Sequence, residues 1–305
     1  MADWDGAGYA HISGLQRAMA TASLESVAVT GTEQVLDVGC GDGYVTRLIA
    51  SRVPDGAVLG VDPSPRMIEV ARTADDQLAN VSFEVGDVVT MTFGPDFDLV
   101  VSFNALHWVA EQETAYRNIA AALKPTGRVL VQFVCQGPRR SVERVAMDTA
   151  HDPRWAHAFD GFTQPYVHIE PDALSAIAGR AGLEVVQRSV VDREWDFGSR
   201  EQFAQWCTVG FADWTSRLPA ADVPAFVDAV VDGYQTVTGE PGCSGSCSCG
   251  PSCGRDSRGP FRPAGFPDRV RRLNARAEKS PVRCGDYSAR PWDTFWPASP
   301  AMAWC

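Results

Sequence analysis

The run QVLDVGCGDGYVTRL, residues 34–48, decides the fold of this 305-residue chain. It begins with a short apolar segment that ends in glycine, which is the pattern of a strand buried on both faces. Glycines then occupy every second position, at Gly39, Gly41 and Gly43, before apolar residues resume at helical spacing. A buried strand, a tight glycine-rich loop and a helix in succession predict the first βα unit of a parallel sheet.

Four more segments repeat this strand pattern, and helical spacing separates most of them. They are AVLGVD (57–62), VSFEVG (81–86), DFDLVVSF (96–103) and RVLVQFV (128–134). Strands that alternate with helices predict an α/β fold with a doubly wound, mostly parallel sheet. We also expect a first helix within residues 12–29, a turn at residues 124–127, and a sixth strand over residues 183–191.

The spacing of the glycines excludes the dinucleotide fingerprint G-x-G-x-x-G/A. Counted from Gly39, the third small residue of that fingerprint falls on Tyr44; counted from Gly41, it falls on Thr46. The acidic side chains of Asp37 and Asp42 would also sit badly beside a pyrophosphate. The loop therefore suits a ligand that lacks phosphate and carries positive charge, such as an amino group and a sulfonium.

Two further acidic residues follow predicted strands. Asp62 ends the second strand, nineteen residues after Gly43, where a carboxylate binds ribose hydroxyls. Asp87, in the segment GDVVT, is placed to accept a hydrogen bond from an adenine amino group, although a helix cap would explain it as well. A generic tight turn is the alternative explanation for the glycines.

Four of these motifs occur in the order and spacing of one enzyme family. With VLDVGCGDG, the strand-end Asp62, GDVVT and FDLVVSFNALHWV, the chain resembles the class I S-adenosylmethionine (SAM)-dependent methyltransferases over residues 33–134. The segment Tyr9-Ala10-His11, ALHWV after strand four, and WDFGSREQFAQW at 195–206 are similar to the trans-aconitate methyltransferase group. The resemblance implies a Rossmann-like sheet of the seven-stranded type with a helical cap, and SAM as the cofactor.

The same resemblance implies a role for individual residues around the cofactor. The implied contacts are the backbones of Gly39, Gly41 and Gly43, then Asp37 at the amino-acid end, Asp62 at the ribose, Asp87 and Val88 at the adenine, and Asn104 at the methionine portion.

The acceptor of the methyl group decides which other residues matter. A carboxylate is already nucleophilic and needs only charge neutralisation and alignment, whereas a hydroxyl needs a general base. His107 and Tyr9 are the candidate catalytic residues, and Trp108, Arg139 and Arg140 are the candidate acceptor-binding residues. An arginine pair suits recognition of a carboxylate. Structural packing for His107, Trp108 and Tyr9, and simple solvation for the arginines, are the alternatives.

We therefore expect a SAM-dependent methyltransferase that converts a small carboxylic acid to its methyl ester. The alternatives are an O- or C-methyltransferase for a quinone, lipid or secondary metabolite, with His107 as base, and a SAM-binding protein without turnover. An NAD-binding oxidoreductase is disfavoured by the glycine spacing. Enzymes that methylate base amino groups carry an NPPY-like stretch after strand four, where this chain has FNAL. This difference argues against a nucleic-acid substrate.

Charge and composition also limit the partners. Residues 1–240 contain 17 Lys+Arg and 33 Asp+Glu, whereas residues 241–305 contain 10 and 5. An acidic body disfavours binding to a nucleic-acid backbone, which depends on Lys and Arg. Because no apolar stretch is long enough to cross a membrane and no signal peptide is visible, we expect a cytoplasmic protein with a small-molecule substrate. The oligomeric state is not indicated.

We divide the chain into a SAM-binding core (1–136), a cap or substrate region with sheet strand six (137–240), and a tail (241–305). The tail begins with GCSGSCSCGPSCG, residues 242–254, near the place where an antiparallel seventh strand is expected. Codons for Cys-Ser-Gly-Ser-Cys-Ser-Cys from Cys243 can, when shifted by one base, encode the strand-like Val-Phe-Arg-Phe-Leu-Gln-Leu. We expect a largely disordered, out-of-frame tail; a genuine cysteine metal site is the alternative, although the run lacks paired Cys-x₂-Cys knuckles.

Overall fold

The computed structural model describes residues 12–73, 78–191 and 195–238, together with Gly8 and the short segments 246–247 and 301–303. Five parallel strands form the centre of the molecule in the order β3-β2-β1-β4-β5. They are β1 (Gln34–Val38), β2 (Ala57–Asp62), β3 (Val81–Val85), β4 (Phe97–Phe103) and β5 (Leu123–Gln132). This sheet confirms the α/β, Rossmann-like fold predicted from the strand pattern.

Nine helices accompany these strands in the described part of the chain. They are α1 (Gly14–Leu24), α2 (Tyr44–Ala50), α3 (Pro65–Thr73), α4 (Gln112–Ala122), α5 (Val142–Ala150), α6 (Leu174–Arg180), α7 (Arg200–Gly210), α8 (Ala212–Thr215) and α9 (Val223–Thr238). Short 3-10 turns lie at Leu106–Trp108, Ala156–Ala158 and Pro171–Ala173.

Helices cover both faces of the sheet, which explains why the strands are apolar on both sides. On one face, Val35, Leu99 and Leu130 pack in a buried cluster with residues of α1 and α2, including Leu24 and Ile49.

On the other face, the neighbouring strand positions Leu36, Val100 and Val129 pack with Tyr116 and Ile119 of α4. Successive strand residues thus alternate between two buried clusters, and no face of the central strands is left to solvent.

A separate apolar core joins α5, α7 and α9. Phe226, Val230 and Val231 of α9 are fully buried among α5, α7 and the segment around Trp155. Trp214, on α8, is also fully buried in this core. We call this group the helical cluster, and it stands apart from the clusters that cover the sheet.

The edge beyond β5 is only briefly paired. Strand β6 (Glu184–Gln187) does not contact β5 directly, because a three-residue strand, β9 (Ala301–Ala303), pairs in parallel with both. An antiparallel strand was expected at this place, and the described segment runs in the other direction. A second small pairing joins β7 (Trp195–Asp196) to β8 (Ser246–Cys247).

Two elements are shorter than the sequence segments that predict them, and the predicted turn coincides with an irregularity in β5. The first helix ends at Leu24, because the backbone N–H groups of Ser26 and Val27 bond to carbonyls three residues back and close a turn. The sixth strand covers only Glu184–Gln187 of the predicted residues 183–191. The turn predicted at residues 124–127 falls inside the range of β5 and interrupts its pairing with β4, because Leu123 pairs with Phe97 whereas Arg128 pairs with Leu99.

Parts of the predicted organisation fall outside the described residues. Nearly all of the tail, including most of its cysteines, lies outside them, so the out-of-frame hypothesis and the three-part division of the chain remain predictions. Among the helices that the structure describes, none combines the length and apolar character needed to traverse a bilayer.

Candidate functional site

A cavity of about 1160 Å³ opens at the carboxyl ends of the parallel strands, between the sheet and the helical cluster. This edge is where open α/β sheets place their ligands. Residues at the ends of four strands line it: Val38, Asp62, Phe103 and Gln132. The cavity therefore brings together loops that are far apart in the sequence.

The glycine loop follows β1 with a backbone that side chains rarely adopt. Gly39, Gly41 and Gly43 have φ values of 75°, 54° and 76°. A Cβ added to Gly39 would lie 2.2 Å from the Cβ of Ala105, and the N–H of Gly39 donates to the carbonyl of Val61 at 2.8 Å. Gly39 and Gly41 line the cavity, so a ligand there meets backbone rather than side chains.

Gly43 has a different task from the other two glycines. It precedes α2 as its N-cap residue, and a Cβ there would come within 2.7 Å of the Phe83 ring. It does not line the cavity. The structure thus places Gly43 in packing between the loop and β3, and the implied contact of its backbone with the cofactor stays a prediction, since Gly43 does not line the cavity.

Asp62 lies at the end of β2 with its carboxylate in the cavity. One oxygen accepts a hydrogen bond from the N–H of Gly41 at 3.0 Å, and the other accepts from the N–H of Ser64 at 2.9 Å. Burial raises the pKa of Asp62, and these two hydrogen bonds oppose that rise. The carboxylate is therefore fixed in orientation beside the glycine loop, where it can accept from hydroxyl donors of a ligand.

Asp37 lies beneath the loop rather than in the cavity wall. It is 1% exposed, and one carboxylate oxygen accepts from the hydroxyl of Thr46 at 2.7 Å. Burial, reinforced by the nearby charge of Asp62, raises the pKa of Asp37 to about 7, although the Thr46 hydrogen bond lowers it. Its implied role at the amino-acid end of the cofactor remains a prediction, since it does not line the cavity.

The next strands supply Asp87, Val88 and Asn104, which all line the cavity. Asp87 accepts a hydrogen bond from the N–H of Val89 at 2.8 Å, which is the local capping contact expected if Asp87 has a structural role. It also lines the cavity. Asn104 adopts φ of 55°, the left-handed region that disfavours side chains. The amide of Gln132 donates to Asn104 at 3.2 Å and helps to hold it there.

His107 and Trp108 follow β4 and line the far side of the cavity. His107 is 4% exposed, and its Nδ1 has no hydrogen-bond partner among the described residues. Burial, together with the nearby His168, lowers the pKa of His107 to about 3, so the ring is neutral near pH 7. Trp108 packs edge-on against Tyr166 and Trp214, which makes it part of the wall.

Arg139 and Arg140 line the cavity where the chain leaves the sheet. Arg140 forms an ion pair with Asp148, and Arg139 also has an interaction within the chain. The predicted catalytic residue Tyr9, with its neighbour His11, lies outside the described residues. Most of the predicted site residues therefore line one cavity. Asp37 and Gly43 do not line it, and Tyr9 is outside the described residues.

Comparisons with known proteins agree with this geometry. The family described as "Methyltransferase domain" matches residues 35–127. The trans-aconitate 2-methyltransferase of Escherichia coli is 31% identical over 232 residues, which cover 74% of this chain and 86% of that protein. The chain belongs to the class I SAM-dependent methyltransferases.

Two further comparisons extend this result. The juvenile hormone acid O-methyltransferase of Bombyx mori is 34% identical over 139 residues, covering 44% of this chain and 50% of that protein. A methyltransferase structure, from the complex with the Haloferax volcanii Trm112 activator, aligns with a TM-score of 0.51 and 23% identity. That alignment covers 78% of this chain and 95% of that one, and it supports only the fold of this chain.

The residues present fit the SAM that this family uses. Gly39 and Gly41 line the cavity without side chains, so the cofactor can lie directly against the loop backbone. Asp62 and Asp87 offer acceptors to hydroxyl and amino donors, and no cation of the loop lines the cavity to receive a phosphate. Within the described ranges, no group of three or more His, Cys, Asp or Glu residues is arranged to hold a metal ion.

Several residues of the methyltransferase cavity had no signal in the sequence. Gln132, which fixes Asn104, also accepts a hydrogen bond from Ser23 of α1 at 2.9 Å. Glu143, on the first turn of α5, lines the cavity although no motif marks it. The apolar spacing of α7 does predict a buried face, but not that Phe203 and Trp206 face the cavity.

Proposed function

We propose that this SAM-dependent methyltransferase transfers a methyl group to a small carboxylic acid and releases the methyl ester. The burial of His107, which lines the cavity and is only 4% exposed, is the observation that carries the proposal. Burial disfavours the imidazolium that a general base must become, and it lowers the pKa of His107, so this ring is poorly suited to deprotonating a hydroxyl. A carboxylate acceptor needs no base, so it suits this cavity better than a phenol or an alcohol.

The chemistry balances without a proton donor or acceptor. A lone pair of the carboxylate oxygen forms the new O–CH₃ bond while the S–CH₃ bond of SAM breaks, and the bonding pair stays on sulfur. The protein has to align the two reactants and exclude water from the cavity. His107 and Trp108 would serve as wall residues in this reaction.

We assign cofactor binding to the backbone of Gly39 and Gly41, with Asp62 at the ribose. Asp87, Val88 and Asn104 complete the cofactor end by the same reasoning, and Asp37 supports it from below. Their positions along the strand ends support this assignment.

The helical cluster is proposed as the cap that holds the acceptor, on a sheet of the seven-stranded type. The short pairing at β9 and β6 and the packing of α5, α7 and α9 support it.

The names of two relatives agree with an acid acceptor. A trans-aconitate methyltransferase and a juvenile hormone acid methyltransferase both act on acids by name, although they differ greatly in the acid. Arg139 and Arg140 at the cavity edge are the proposed attraction for one carboxylate, which would share Arg140 with Asp148. A small-molecule acceptor also agrees with the acidic body of the chain, and a cytoplasmic location remains part of the proposal.

Methyl-labelled SAM incubated with a panel of polycarboxylates, fatty acids and phenols, followed by mild base, tests the proposal. Label released as methanol identifies a methyl ester. Base-stable label in a phenol or a carbon acceptor would contradict it, and retained SAM binding without transfer to any acceptor would indicate a binding protein. A His107→Gln variant gives a second readout: we expect a loss of less than about tenfold in kcat/KM, against roughly 10²-fold or more for a general base.

A further inference from the structure

Five aromatic side chains form one continuous surface on the helical side of the cavity. We call them the aromatic wall: Phe197, Phe203, Trp206, Phe211 and Tyr234. The ring centroids of Phe197 and Phe203 are 4.8 Å apart, and Trp206 lies 5.5 Å from Phe197 and 6.0 Å from Phe211. A wall of this kind stabilises an apolar ligand surface and offers little to a heavily charged one.

The charges of the cavity do not favour a polyanion. Among the described residues that line it, the basic ones are Arg139, Arg140 and Arg188, and the acidic ones are Asp62, Asp87, Glu143 and Asp172. Each arginine already has a partner within the chain: Arg140 has Asp148, Arg188 has Asp172, and Arg139 has a further interaction. An acceptor with several carboxylates would have to compete for these arginines.

Glu143 adds a buried carboxyl group on the acceptor side. It is 6% exposed, and the only described cationic or titratable nitrogen within 4.0 Å of its carboxylate is Nε2 of His168, at 3.9 Å. The hydroxyl-bearing ring of Tyr166 and the guanidinium of Arg144 are the other charged or titratable groups near this corner, and His107 contacts His168 ring to ring. Burial lowers the pKa of His168, although the nearby Glu143 raises it, so burial opposes the protonation that would let His168 neutralise Glu143.

We infer that the acceptor is an apolar monocarboxylic acid whose hydrocarbon body lies on the aromatic wall, and that Glu143 excludes acids with a second carboxylate. This inference rests on the proposed carboxyl methylation and narrows its substrate class. A second carboxylate entering the acceptor side would be buried near Glu143, and each arginine among the described lining residues already has a partner. One carboxylate, directed at the transferred methyl, loses its charge in the reaction.

Binding of a matched pair of acids tests the inference without relying on turnover. Decanoic and decanedioic acids have the same chain length and differ only in the second carboxylate. Titration calorimetry on the full chain with saturating S-adenosylhomocysteine should give a Kd for decanoate at least about tenfold below that for decanedioate. Equal or tighter binding of decanedioate would overturn the inference.

A Glu143→Gln variant tests the role of the buried charge. The change keeps the shape of the side chain, and we expect the ratio of the two Kd values to fall at least about threefold as decanedioate gains affinity. Glu170→Gln is the matched control, because Glu170 is exposed and does not line the cavity. A ratio unchanged in Glu143→Gln would show that Glu143 does not select the acid.

The aromatic wall is tested at Trp206, whose indole N–H has no described hydrogen-bond partner. Trp206→Ala should weaken decanoate binding at least tenfold, whereas Trp206→Phe, which keeps an aromatic face, should change it by less than about threefold. Each variant is first checked by S-adenosylhomocysteine binding, which should stay at the wild-type value. Unaltered decanoate binding by Trp206→Ala would place the hydrocarbon elsewhere.

The base-lability assay separates this inference from the proposed function. Ester label on decanedioate in preference to decanoate would support carboxyl methylation and refute the selection for monoacids. Base-stable label on another acceptor, with decanoate not methylated, would refute carboxyl methylation and, with it, the narrower inference.

Discussion

Gly39 is the residue at which the cofactor end of the cavity depends most directly on a missing side chain. Gly39→Ala should weaken S-adenosylhomocysteine binding by at least tenfold, because the new Cβ would lie 2.2 Å from Ala105 in a backbone with φ of 75°. Gly161→Ala is the matched control, since Gly161 has φ of 67° and nothing within 4 Å of its Cβ position. Calorimetry measures the affinity, and equal losses in both variants would show that backbone strain alone is responsible.

Asp37 should make the stability of the protein depend on pH. Burial raises its pKa in the folded state from 3.8 to about 7. The protonated carboxyl group therefore stabilises the folded protein fully below pH 3.8, and this stabilisation is lost as the pH rises through 7. At roughly 1.4 kcal/mol per pKa unit, the full effect is on the order of 4 kcal/mol. The free energy of unfolding of Asp37→Asn, relative to wild type, should therefore increase between pH 5 and pH 8.

Urea denaturation across that range measures this difference. Asp98→Asn provides the comparison, because hydrogen bonding to Lys124 and Gln34 outweighs burial and lowers the pKa of Asp98. The stabilisation by the ionised Asp98 is lost only at a pH below 3.8, the ordinary pKa of an aspartate. The free energy of unfolding of Asp98→Asn relative to wild type should therefore stay constant from pH 5 to pH 8. A flat difference for Asp37→Asn as well would mean that Asp37 is ionised in the folded protein throughout.

At the scale of elements, the helical cluster and the sheet have separate apolar cores. Phe226→Ala should destabilise the helical cluster by about 3–5 kcal/mol, since Phe226 is fully buried between Trp155 and Phe159. We expect acid binding to weaken while the Kd of S-adenosylhomocysteine changes by less than about twofold. Leu36→Ala, in the core beneath the glycine loop, should instead weaken both.

Denaturation together with calorimetry on the two variants gives the comparison. Equal loss of S-adenosylhomocysteine affinity in Phe226→Ala and Leu36→Ala would show that the two cores unfold as one unit and would contradict their separation.

The sheet elements were predictable because their signal is local. A strand buried on both faces, such as β1 or β4, is apolar along its length. A glycine in the sequence also indicates where the backbone can adopt a positive φ. The extents of α1 and β6 were not predictable, because a turn after Leu24 and the brief pairing of β6 depend on neighbours distant in sequence.

The acceptor side of the cavity was largely invisible for the same reason. Glu143 and Trp206 acquire their meaning only when α5 and α7 pack over the strand ends, and neither stands in a recognisable motif. Asp37 shows the opposite limit: its motif is plain, but its burial behind the wall could not be read from spacing.

At the scale of the whole molecule, the position between β5 and β6 is the least supported part of the sheet. The described chain fills it with only three residues, Ala301–Ala303. If the tail is out of frame, restoring the frame from codon 243 should supply a longer apolar strand there. We expect Tm to rise by about 4–12 °C, taking a gain of roughly 2–3 kcal/mol and 2–4 °C per kcal/mol.

Differential scanning calorimetry of the two full chains measures that change, and the gene sequence across codons 238–256 provides an independent check. Codons that cannot encode the shifted strand would end the hypothesis. A Tm that falls on frame restoration, with zinc bound stoichiometrically by the original chain, would instead support the cysteine metal site.

The separation of the two apolar cores has an evolutionary consequence. If the aromatic wall holds the acceptor, substitutions among the aromatic side chains of α7 should change which acid is accepted without disturbing the loop after β1. A few substitutions on this one helix should then be enough to change the specificity from a polar acceptor to an apolar one. Enzymes that share the cofactor loop should therefore diverge in substrate faster than their sheets diverge in sequence.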